Sequence, residues 1–149
     1  MPNDLDKRYQ TLLVLWVSIG SSICLLFAFT LFVPVESAGE PRNPPSAVLL
    51  FVLAALGTFL VVLSFAFKRK ILQASVEKQD VSLVQKALVV ACAMCEAAAL
   101  LGLMGRFVAG TRDYLLLFLV TVVGIALHFP KRDQLLAASW NNLSGPKAL

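Results

Sequence analysis

Apolar residues fall into four long runs, at about residues 11–33, 47–67, 87–107 and 114–128, and polar or proline-rich positions separate them. A helix needs roughly 20 apolar residues to cross a hydrocarbon core about 30 Å thick. The pattern therefore predicts an all-α polytopic membrane protein, one domain over residues 1–149, with four transmembrane helices in two hairpins. Between the first two runs stand Pro34, Gly39, Pro41, Pro44 and Pro45. Proline lacks an amide donor and disfavours helical geometry in the residue before it, so this stretch is expected to be an extramembrane loop. Lys68, Arg69 and Lys70 stop the second run, because ammonium and guanidinium groups are costly in hydrocarbon.

The segment 68–86 keeps apolar positions at Ile71, Leu72, Val76, Val81, Leu83 and Val84. Their spacing predicts helix extensions that turn near residues 77–80, with Asp80 as the N-cap of the next helix. Gly110 and Thr111 mark a tight connection, and Phe129 with Pro130 ends the fourth run. The tail, 131–149, begins basic and then offers Leu135, Leu136, Ala137, Ala138 and Trp140, which suits a short helix lying at the membrane interface. A secretory signal has an apolar region of only about 7 to 15 residues, so the longer first run is expected to stay as an anchor.

Charge placement supplies the orientation. Lys7 and Arg8, then Lys68, Arg69, Lys70, Lys78 and Lys86, then Lys131, Arg132 and Lys147 all flank the same side, whereas Arg42, Arg106 and Arg112 fall on the other. The positive-inside rule then places both termini and the middle loop in the cytoplasm. The formal charge of +4 is dispersed around helix ends, so it reads as a topology signal and not as a nucleic-acid surface.

Composition agrees: of 149 residues 58% are hydrophobic and 15% charged, with a mean hydropathy of +0.80. Four spans leave no room for a soluble catalytic domain. A single histidine, no second carboxylate within a run and no phosphate-binding loop argue against an enzyme, and no cofactor or metal set is expected.

Eight of the nine acidic residues lie in loops or tails, and the ninth is Glu96. It stands about nine residues into the third run, roughly 13 to 14 Å deep at 1.5 Å per residue. A charged carboxylate at that depth costs at least about 2.5 to 3.5 kcal/mol, so Glu96 is expected to be protonated or paired. Counting each run from its own end brings Ser22, Thr58 and Thr121 to the same level, with Ser21, Gly57 and Gly124 beside them. One reading is a proton- or cation-binding site built on Glu96 with Ser22, Thr58 and Thr121 as supporting groups. The other is a neutral carboxyl acting as interhelical glue.

Around Glu96 the third run is rich in small residues: Ala91, Cys92, Ala93, Cys95, Ala97, Ala98, Ala99, Gly102 and Gly105. Such a face packs closely against the chain's own spans or another copy. Cys92 and Cys95 form C-x-x-C, but mid-membrane thiols lack a relay partner, and they read better as small packing residues than as a redox or metal pair.

Residues 95–110, CEAAALLGLMGRFVAG, resemble the ion-binding helix of the proteolipid c subunits of rotary F- and V-type ATP synthases. The resemblance covers about one helix and implies that Glu96 binds a translocated proton or sodium ion. As a whole, the chain reads as a structural or assembly subunit of a membrane complex, associating with other membrane subunits or with itself. The alternative is a proteolipid-like proton- or cation-binding protein. A bacterial cytoplasmic membrane is the expected location.

Overall fold

The computed structural model describes residues 2–33, 44–109 and 114–143, and every regular element among them is an α-helix. In chain order these are α1 (Pro2–Phe32), α2 (Pro44–Lys78), α3 (Val81–Ala109), α4 (Tyr114–Leu127) and α5 (Arg132–Leu143). The expected loop residues 34–43 and the connection at Gly110 and Thr111 lie outside the described residues, as does the end of the tail.

Hydropathy locates a span but not the ends of a helix, and three helices outrun their apolar runs. α1 begins ten residues or so earlier than its run and carries Asp4 in its first turn, where a carboxylate favours the helix dipole. α2 opens on Pro44 and Pro45, which the sequence placed in the loop. At the first turn a missing amide costs nothing, since those amides have no intrahelical partner. α2 then continues past its lysine–arginine cluster to Lys78.

The turn into α3 follows the expectation closely. Gln79 takes φ 50°, Asp80 N–H donates to the Ser75 carbonyl at 3.0 Å, and Gln79 N–H donates to Val76 at 3.3 Å. These bonds satisfy the last carbonyls of α2 in a Schellman arrangement. Asp80 Oδ1 accepts from the Ser82 amide at 2.8 Å, the N-cap bond of α3. Hydrogen bonds from Ser82, side chain first and backbone second, hold the Asp80 carboxyl below the usual carboxylate range.

α3 is the central element, touching all four other helices. Its small residues make this possible: Ala87, Ala91, Cys92, Cys95, Ala98 and Ala99 are fully buried, and Gly102 and Gly105 are buried too. The small face therefore packs against the chain's own helices. The expectation of two hairpins holds only in part. Of the expected hairpins, α3 and α4 pack together, whereas α1 and α2 make no contact among the described residues; the most extensive pair is α2 and α3, joined by the tight turn. Sequence adjacency across a ten-residue connection does not force two helices together.

α1, α2 and α3 are each long and apolar enough to cross a membrane. α4, with 14 residues, is only about 21 Å long and falls short of the hydrocarbon thickness. It reaches a span's length only together with α5, to which it is joined through a bend of 47°. The protein is thus a helical bundle with three or four long apolar helices, as a multi-pass membrane protein requires. Its outer surface fits that solvent, with Leu25, Phe32, Phe51, Val62 and Leu116 all well exposed.

The ends of the bundle are tied by polar contacts. In the last turn of α3, Arg106 donates to the Tyr114 hydroxyl and to the Val33 carbonyl, both at 3.0 Å, joining α3 to α4 and to the end of α1. At the opposite end α5 does not lie free on one face. Leu135 and Ala138 are buried against the bundle, while Leu136 and Trp140 stay exposed. Arg132 pairs with Asp6 at 3.4 Å and stacks over Tyr9, so α5 is held to the start of α1.

Candidate functional site

Glu96 and Ser22 come together as the sequence suggested. Ser22, on α1, donates its hydroxyl proton to Glu96 Oε1 on α3, and both side chains are half-buried. The other two candidates do not join them. Thr58 is exposed on α2 and lines an apolar cavity of about 330 Å³ with Leu50, Leu101 and Leu117. Thr121 is fully buried on α4, where its hydroxyl donates to the Leu117 carbonyl of its own helix at 2.8 Å. The reason is angular: Cys95 faces α2 and α4, and the next residue, Glu96, is turned by about 100° towards α1. Equal depth along the membrane normal did not mean a shared face. Among the described residues Glu96 therefore has one hydroxyl partner, which is sufficient for a hydrogen bond between helices. A bare cation would need more oxygens.

A second polar cluster has no counterpart in the sequence reading. Ser64 on α2 is fully buried, with its Oγ 2.6 Å from the Val61 carbonyl, 2.7 Å from His128 Nε2 and 3.8 Å from Cys95 Sγ. A hydroxyl has one proton, and here the Val61 carbonyl takes it. With the hydroxyl proton so placed, the Nε2–H tautomer of His128 is the one that can donate to Ser64. The pair consequently works as a strut between α2 and the end of α4. His128 also stacks on Phe65 with centroids 4.3 Å apart.

The end of α4 is satisfied by donors from two other helices. Lys68 Nζ donates to the His128 carbonyl at 3.1 Å, and Trp16 Nε1 on α1 donates to the Ile125 carbonyl at 2.9 Å. Carbonyls at a helix end run short of intrahelical partners; Lys68 supplies one to His128, and Trp16 adds a second donor to the Ile125 carbonyl, which also accepts from the His128 N–H at 3.0 Å. Lys68, read from sequence as a topology charge, is buried here in a structural role. Its spacing to Ser64, four residues on one helix face, was the available signal.

No family model, curated protein or solved structure matches this chain. The functional reading rests on the geometry.

All three cysteines are free thiols. Cys92 and Cys95 are sealed in the α3 packing, and Cys24 is exposed on α1. Close to Cys24, α1 and α4 bound an apolar groove of about 730 Å³ at the outer surface of the bundle. Gly20, Cys24 and Ala28 line its α1 wall at four-residue intervals, and Val122 and Ala126 line the α4 wall.

Proposed function

We propose that this chain is a structural or assembly subunit of a membrane complex, embedded with both ends on the cytoplasmic side of a bacterial cytoplasmic membrane. The observation that carries this reading is the groove between α1 and α4. Small residues at Gly20, Cys24 and Ala28 let a helix backbone approach closely, the device by which membrane helices associate. The corresponding small face of α3 is already occupied by the chain's own helices, and the α1 groove is open to an apolar transmembrane helix of another subunit. The polar groups support the same reading, because half-buried Glu96 and buried Ser64, Thr121 and His128 each bond within the fold.

A Cβ on Gly20 would meet only Ile125 Cγ2, at 4.0 Å, so a side chain there fills the groove without straining the chain. Gly20→Leu is expected to leave helix content and the unfolding midpoint of the isolated protein unchanged. In mild detergent extracts of native membranes it should move the chain from a heavier assembly to a free 16.2 kDa subunit. Unchanged migration of Gly20→Leu in the heavier assembly would overturn the reading.

The proteolipid-like alternative draws on one observation, the half-exposed edge of Glu96 beside a single hydroxyl. In that reading Glu96 would be loaded and unloaded with a proton.

A further inference from the structure

Where α4 stops short, the chain bends and leaves a groove of about 820 Å³ between the second half of α2, the 128–131 segment and the start of α5. Three cations line it, Lys68, Arg69 and Lys131, against one carboxylate, Glu77. Among the described residues none of the three pairs with an acid, since the ion pair found there joins Arg132 to Asp6. Lys68 is fixed in the wall by its bond to the His128 carbonyl, which uses one of three ammonium protons. Arg69 and Lys131 are exposed at the groove's edges. Apolar side chains, including Leu72, Val76 and Leu127, make up the remaining wall.

We propose that this groove binds the phosphate headgroup of an anionic phospholipid, with the acyl portion against the apolar wall. Depth supports this occupant. From Val48, where the apolar part of α2 begins, to Lys68 is twenty residues, or about 30 Å of helix. That matches the hydrocarbon thickness and puts the cations at headgroup level. A basic pocket between membrane helices at this level is suited to an anionic headgroup. The mixed lining also distinguishes a lipid from a free phosphate ion, which gains nothing from Leu72 or Leu127.

The test uses the full-length protein in detergent, with phosphatidylglycerol and phosphatidylcholine as probes and native mass spectrometry to count retained lipid. Phosphatidylglycerol should be retained in preference to phosphatidylcholine. Arg69→Gln and Lys131→Gln should each weaken that retention about fivefold, following the contribution of one cation near an anionic headgroup. Both residues are exposed, so neither change disturbs packing. Lys70→Gln, an exposed cation on the same helix that does not line the groove, should have no effect. Equal retention of the two lipids, or an equal loss with Lys70→Gln, would overturn the proposal. Displacement of the lipid by millimolar inorganic phosphate would also overturn it and assign the groove to a free anion.

Discussion

Gly124→Leu is expected to lower the stability of the bundle by about 1 to 3 kcal/mol, the usual cost of forcing extra volume into a packed interior. A Cβ at this position would stand 2.9 Å from Val61 Cγ1 and 3.1 Å from Cys95 Sγ, so even the first added carbon has no space. Both neighbours are buried and neither is the far end of a flexible chain. α4 would have to move away from α2 and α3, and the His128 contacts just beyond Gly124 would loosen with it. A fall in the thermal midpoint of the purified protein measures the effect. Val61→Ala, which removes the nearer obstacle, should restore part of the loss. A Gly124→Leu protein as stable as the wild type would show that α4 does not sit as closely as described. The contrast with Gly20→Leu is informative, because the two glycines lie in apolar helices of the same bundle and only one has room.

The second large effect is expected at His128. His128→Ala removes the Ser64 contact and the stack on Phe65, and it leaves a void at the junction of α2 and α4. An unmade buried hydrogen bond costs about 1 to 3 kcal/mol. Interhelical bonds in membranes are worth less, about 0.6 kcal/mol on average and up to about 1.7. The void makes the upper part of these ranges the expectation, near 2 kcal/mol. Removing both polar partners with an apolar side chain of similar size is much milder, so Ser64→Ala combined with His128→Leu should recover most of the stability. If the double variant is as unstable as the sum of its parts, Ser64 and His128 do not act as a pair.

Much of the helical architecture was legible because its signals are local. Run lengths gave the apolar helices, Asp80 gave the start of α3, and the apolar positions at 71–84 gave the helix extensions around the turn. What the sequence did not disclose is rotational and long-range. Counting along the runs assigns Thr58 and Thr121 the depth of Glu96, yet neither joins it: Thr58 faces an apolar cavity and Thr121 bonds within its own helix. Ser64 and Lys68 already share one face of α2, but nothing local shows that this face meets the end of α4. The separation of α1 from α2 was equally hidden, because a connection of ten residues permits neighbouring or distant helices. The start of α2 at Pro44 was misread for a simpler reason: proline breaks a helix interior but is tolerated in its first turn.

On this account half-buried Glu96 acts as a hydrogen-bonding group that ties α3 to Ser22 of α1, and not as a site that is loaded and emptied. The most direct test is the rate at which a hydrophobic carbodiimide labels Glu96 in the purified, folded protein, measured across pH with and without added sodium, with Glu96→Gln as control. A structural carboxyl held against Ser22 predicts slow labelling that does not respond to pH or to sodium. Rapid, selective labelling at neutral pH, slowed by sodium or by alkaline titration, would contradict the account and establish a proteolipid-like site.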